Sequence, residues 1–343
     1  MATLTVLAVV AVAFVIVFDY TNGFHDASNI IATVIASRAM TPTQAVVVVA
    51  LFEFLGPLLG GTAVANTIGK VVQLGDVDAV RAVTIILGGV FAAIAWNLGT
   101  WWIGIPSSSS HALTGGLCGA VVVAVGSDHV VWGFSELAHG EFHGVAKVLL
   151  GLLISPIVGF GVGFLLQKLM SRLLRRARPG INKTLRRAQW VTSAWLAFSH
   201  GANDAQKSMG ILTLILLLAG RITEFAVPFW VVLMCATAIT LGILSGGWRI
   251  VRTVGFGIYK IRPLHALDAQ LTSAGVIYAA SLIGAPVSTT HVVSSSIMGI
   301  GSAENVREVR WSKAKEILAT WVITIPGSAL MAAGVILIVR LFW

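Results

Sequence analysis

Phe198-Ser199-His200-Gly201-Ala202-Asn203-Asp204 lies inside an apolar stretch, and Asn22-Gly23-Phe24-His25-Asp26 takes the matching place near the N-terminus. Each sets a carboxylate beside a glycine where the flanking residues read as membrane-spanning helix. A charge at membrane depth costs about 3 kcal/mol on insertion scales. The glycines predict helix interruptions at 19–26 and near 201–204, where freed backbone groups need protein or trapped water as partners. Two such sites in two halves of one chain point to a carrier built from repeats, with its binding site where the helices break.

The 343 residues are 57% hydrophobic and 11% charged, against about 25% charged in soluble domains. That balance speaks against an ordinary globular enzyme and for a polytopic α-helical membrane protein. The net charge of +9 is concentrated: seven basic residues and no acidic one fall between Arg172 and Arg187. A basic cluster between apolar segments reads as a cytoplasmic loop, not as a nucleic-acid site. Cys118 and Cys235 lie in apolar segments without ligand spacing and read as packed free thiols. The stretch Ala2 to Phe18 has no preceding Lys or Arg and reads as a first membrane helix, not a signal peptide.

Apolar segments run over 2–37 (interrupted at 19–26), 43–65, 81–105, 110–126 and 145–170, then 189–220, 227–247, 265–285, 290–303 and 315–342. The 110–126 and 290–303 pieces are short, and each follows a proline and a hydroxyl cluster. They read as arms of hairpins that enter the membrane without crossing it. Pro106-Ser107-Ser108-Ser109-Ser110-His111 aligns with Pro286-Val287-Ser288-Thr289-Thr290-His291 at an offset of 180, and Asp26 with Asp204 at 178. Two unrelated features agreeing this closely indicate an internal repeat. With the basic loop inside, counting outward puts the acidic loop 127–144 and both termini outside. The halves then enter the membrane from opposite sides. The expected fold is all-α, with two inverted-topology repeats, broken helices and helical hairpins. The repeats cover 1–170 and 189–343, joined by the loop 171–188.

Asp26 and Asp204 are the leading cation groups, able to ligate Na⁺ or to carry a proton, although either could simply cap a broken helix. His200 lies one helical turn before Asp204, and His25 adjoins Asp26; near neutrality a histidine can switch charge. Asn22 and Asn29 flank Asp26 and join this set. Glu53 is a third buried acid, for coupling or for pairing with Lys207. Lys207 itself either neutralises Asp204, attracts an anion or snorkels to an interface. Ser107, Ser108, Ser109 and Ser110, with Ser288, Thr289 and Thr290, follow helix-stopping prolines. Their hydroxyls and the free N–H groups of the next helix form an oxyanion site; the alternative is hydroxyls bonded back to helix carbonyls. Asn203 joins the anion candidates. His111 and His291 either shape these sites or pack. His129, His139 and His143 share an exposed loop. No Walker, HExxH or CxxC pattern is present.

These residues resemble the inorganic phosphate transporter (PiT) family of secondary transporters over most of the chain. "NGFHDASN" and "HGANDAQK" look like its bacterial low-affinity members. The resemblance implies symport of inorganic phosphate with H⁺ or Na⁺ across the cell membrane. It implies no enzyme activity and no cofactor, in contact with membrane lipid, with homo-oligomerisation left open. Carried over residue by residue, it points to Asp26, Asp204, Glu53, His200, Ser108 and Ser288, with Na⁺ at Asp26 and Asp204 if a metal ion is used. Departures shift the balance toward H⁺: His25 and Lys207 stand where relatives often have asparagine, and Gln270 where several have glutamate. The rivals are a sulfate permease on the same scaffold, an intramembrane hydrolase using a serine with His111 or His291, and a channel. Duplication of the hydroxyl–His motif argues against the hydrolase.

Overall fold

In lipid an apolar segment satisfies its own backbone groups only as a helix or in a closed barrel. In the computed structural model, which describes residues 2–137 and 139–342, the chain takes the first course. The helices are α1 (Ala2–Ala36), α2 (Pro42–Leu59), α3 (Ala63–Ile68), α4 (Ala79–Ile103), α5 (Ser109–Val125), α6 (Phe134–Leu137), α7 (Gly144–Leu173), α8 (Ile181–Leu218), α9 (Phe229–Ser245), α10 (Trp248–Arg252), α11 (Pro263–Leu282), α12 (Thr289–Asn305) and α13 (Trp311–Val339). Among the described residues the sole β feature is an isolated bridge between Val72 and Val130.

α1, α2, α4, α7 and α13 are long and apolar enough to cross a membrane, and α9 reaches that length and apolarity only together with the helical turns over 248–257, to which it is bent by 61°. Leu153, Ile157, Leu165, Val322 and Leu330 lie exposed on α7 and α13, a surface suited to acyl chains. α8 is the longest helix, at 38 residues, and it is polar. Every residue from Ser199 to Leu216 is buried, so its polar groups meet protein and not lipid.

The expected interruptions at 19–26 and 201–204 do not occur: α1 and α8 run straight through them. The glycines serve a different purpose. A Cβ on Gly201 would fall 2.4 Å from the Glu53 carbonyl oxygen, and one on Gly23 would fall 2.1 Å from that of Ile239. They let α2 lie on α8, and α9 on α1, at backbone contact. The breaks lie instead after α4 and α11. Gly104 (φ +74°) and Gly284 (φ +65°) end those helices in left-handed turns. Proline follows two residues later, and the next helix begins at an N-cap serine, Ser108 or Ser288. α5 and α12, at 17 residues each, are the short hairpin arms read from the sequence.

α1 and α8 run antiparallel through the centre. Thr5 accepts from Arg221, Asp19 from Ser208, Asp204 from Asn22, and Gln189 from Ser37, so partners climb one helix while descending the other. Equivalent helices thus point in opposite directions, as an inverted repeat requires. The halves also interlock: α2 packs on α8, α9 on α1, α5 on α13, and α12 on α7. Each hairpin tip is tied to an element at its own end of the bundle. Thr67 Oγ1 donates to the Gly284 carbonyl (2.7 Å), and Thr253 Oγ1 to the Gly104 carbonyl (2.9 Å).

Gly23→Ala and Gly201→Ala should each lower stability by about 1–3 kcal/mol, the usual cost of overpacking. Gly99→Ala, with open space around its Cβ position, should be neutral or stabilising. Thermal denaturation of the purified proteins in detergent distinguishes them.

Candidate functional site

Asp26 on α1 and Asp204 on α8 are each 1% exposed and face one another across the crossing of these helices. Their surroundings repeat. Asn29, one turn after Asp26, donates to Asp26 Oδ1 (3.0 Å) and to Thr290 Oγ1 (2.8 Å). Lys207, one turn after Asp204, donates to Asp204 Oδ1 (2.8 Å) and to Ser110 Oγ (2.5 Å). Asn22 reaches across from α1 to Asp204 Oδ2 (3.3 Å), while His200 Nε2 on α8 lies 3.7 Å from Oδ2 of both Asp26 and Asp204. The other nitrogen of His200 bonds Glu53 Oε1 on α2 at 2.5 Å. Glu53 is therefore partnered by His200 and not by Lys207, and Lys207 is fully enclosed, not snorkelling.

The hairpins close over this centre. Ser109 Oγ donates to Asp26 Oδ2 (3.5 Å), and the equivalent Thr289 Oγ1 donates to Asp204 Oδ1 (3.1 Å). Thr290 Oγ1 crosses to Asp26 Oδ1 (3.1 Å). His25 Nδ1 bonds Asp26 Oδ1 (2.9 Å), which leaves its Nε2 to accept from Ser107 Oγ (3.3 Å). Asn203 holds the second tip: it donates to Ser281 Oγ and the Ala285 carbonyl, and accepts from the Val287 N–H. Ser108 and Ser288 are N-caps, their Oγ atoms accepting from the His111 and His291 amides (3.2 and 3.3 Å). Each hydroxyl O–H stays available to donate. The free N–H groups of α5 and α12 converge here with the dipoles of both helices, which favours an anion. An oxyanion would compete with the carboxylates for the same hydroxyl donors.

The remaining sequence candidates lie apart. The His111 and His291 rings pack on each other (centroids 4.5 Å), and His291 stacks on Trp321. Among the described residues no serine hydroxyl bonds either imidazole. His129 turns to Asp76, His139 to the Ser135 carbonyl and His143 to Glu141, so the loop histidines do not converge. Gln270 ties α11 to Thr33 of α1 and Thr192 of α8, where an amide links two hydroxyls. Two fully buried acids escaped the sequence reading. Asp19, two turns before Asp26, accepts from Ser208 (2.6 Å), and Asp268 lies on α11. Asp19 was a lone charge in an apolar run, the same signal that marked Asp26; an expected helix break at 19–26 hid it.

The model of the phosphate transporter family matches residues 22–332. The chain is 42% identical to a probable low-affinity inorganic phosphate transporter of Bacillus subtilis, over 97% of each protein. It is 41% identical to one from Rhizobium meliloti, over 95% of each. Its fold matches a solved structure described as the sodium-dependent phosphate transporter with a TM-score of 0.87, covering 98% of this chain and 100% of that one. At 24% identity that likeness is one of fold.

Ser108→Ala and Ser288→Ala should each cost about 0.5–2 kcal/mol of stability through the lost cap, while glycine at either position should cost only a few tenths. Melting temperatures of the four variants check this ordering. The glycine variants then isolate the ligand contact from the cap.

Proposed function

This chain belongs to the phosphate transporter family, and we propose that it imports inorganic phosphate across the cell membrane by alternating access, driven by protons. The observation that carries the proton assignment is the Glu53–His200 pair, whose free nitrogen is equidistant from Asp26 and Asp204. An imidazole held by one acid and aimed at two others can pass a proton among them. Once protonated, its Nε2–H takes the space between the carboxylates that a hard metal cation would need. Lys207 already compensates Asp204, and Gln270 cannot ionise; both lower the demand for a metal ion.

Phosphate binds between the N-termini of α5 and α12. Ser108, Ser109 and Ser110 meet it from one hairpin, and Ser288, Thr289 and Thr290 from the other. Hydroxyls now donating to Asp26 and Asp204 turn to the anion, and the anion's own P–OH donates to the carboxylates in their place. Sulfate, which has no proton at neutral pH, cannot make that exchange. A buried charge left unpaired is costly, so the anion and its proton are occluded together more readily than either alone. Release of one hairpin tip at a time, at Thr67–Gly284 or Thr253–Gly104, opens the centre to one side. The basic loop 172–187 faces the cytoplasm, and both termini lie outside.

Labelled phosphate uptake into proteoliposomes should proceed under an inward proton gradient without Na⁺, and should rise as external pH falls toward about 6, the range in which imidazoles change charge. The dihydrogen form is held constant in that series, and excess sulfate should not compete. Strict Na⁺ dependence would overturn the proton assignment and leave the anion site standing.

Asp26→Asn, Asp204→Asn and His200→Gln should each abolish gradient-driven accumulation while the protein still inserts and purifies as a folded species. Ser108→Gly and Ser288→Gly should weaken phosphate binding about tenfold to a hundredfold, the equivalent of one hydrogen bond to a charged group. Isothermal titration reads the affinity; parental affinity in both serine variants would move the anion site elsewhere.

A further inference from the structure

Asn29 and Lys207 occupy equivalent positions, each one turn after its aspartate, and they make the same two kinds of contact. Asn29 Nδ2 bridges Asp26 Oδ1 and Thr290 Oγ1. Lys207 Nζ bridges Asp204 Oδ1 and Ser110 Oγ, and reaches the Val287 carbonyl oxygen at 3.1 Å as well. An ammonium has three N–H groups, and here each has one acceptor: a carboxylate, a hydroxyl and a carbonyl. The oxygens come from α8, α5 and the turn before α12, so they converge from both hairpins and not from the lysine's own helix alone. That is the ligand set of a hard cation, all oxygen, with one fixed negative charge.

We propose that Lys207 is a tethered cation, permanently filling one of two equivalent cation places, so that Asp26 alone takes the exchangeable coupling ion. The inference rests on reading Asp26 and Asp204 as the cation-coupling groups. Lys207 is fully enclosed, and its charge needs a fixed partner; Asp204 supplies it at 2.8 Å. On the other side Asn29 brings no charge, and Asp26 is met by an amide, two hydroxyls and two imidazoles. The centre is thus symmetric in shape and asymmetric in charge. The consequence is a coupling stoichiometry one cation lower than the duplicated scaffold would allow.

Lys207→Asn places on α8 the residue that α1 carries at 29, and frees the carboxylate–hydroxyl–carbonyl set. The purified variant should gain a Na⁺-dependent rise in melting temperature over choline at equal ionic strength, larger than any rise in the parent. Lys207→Asn combined with Asp204→Asn should lose that gain, because the anionic ligand is gone. Lys207→Gln serves as a second opening variant. A variant that folds only when Na⁺ is present supports the proposal. A Lys207→Asn or Lys207→Gln protein that melts alike in Na⁺ and choline, or stays unfolded at every Na⁺ concentration, overturns it. The measurement reads cation binding and needs no transport, so it stands apart from the uptake test; proton-driven uptake by the parent can fail while the Na⁺ shift of the variant appears, and the reverse.

Discussion

Three carboxylates, Asp26, Asp204 and Glu53, are enclosed where α1, α2 and α8 cross, and the rest of the molecule answers to them. Taking charge out of water is expensive, and it is tolerated only with opposite charge and hydrogen bonds supplied in good geometry. Here the supply is drawn from every functional element. α1 and α8 give amides, imidazoles and an ammonium; the two hairpins give hydroxyls. Neither hairpin can withdraw without changing what the carboxylates touch. Hairpin position and the solvation of these carboxylates are therefore linked by the burial itself.

Matching motifs build this centre from similar parts. Two antiparallel helices, α1 and α8, bring the two motifs face to face, and the interlocked packing puts α2 on α8 and α9 on α1. Equivalent contacts recur down to single atoms: Ser109 on Asp26 and Thr289 on Asp204, Thr67 on one tip and Thr253 on the other. The departures are as informative as the matches. Glu53 has Ile239 as its counterpart at the glycine crossing, Lys207 has Asn29, and His200 has Asn22. These three departures add ionisable groups around α8, and a fourth adds one on α1, where His25 has Asn203 as its counterpart.

Much of this was legible in one dimension. Hydropathy and the scarcity of charge identified a membrane protein. A proline followed by hydroxyls marked both hairpin arms to within a residue or two, because proline stops a helix and serine starts one through interactions a few residues long. The matching spacing of the two motif pairs was visible in the chain, and the antiparallel course of α1 and α8 is consistent with it. Asp26, Asp204 and the hydroxyl clusters stood out as polar groups where lipid or an apolar core would be expected.

What the chain alone left open was decided by how the helices turn and slide against one another. The motif glycines read as breaks, and only the packed neighbours reveal them as crossings, since a missing Cβ looks the same in sequence whether it loosens a helix or admits another. Glu53 pairs with His200 from 147 residues away, and Lys207 reaches Ser110 across 97. Such partnerships depend on rotation about a helix axis, where one residue is 100° of turn, and no local pattern records it. Residue types and their spacing determined that this protein buries paired charges in a membrane; the tertiary structure determined which charge faces which, because in a medium of low dielectric an ångström of register separates a compensated ion from an unbearable one.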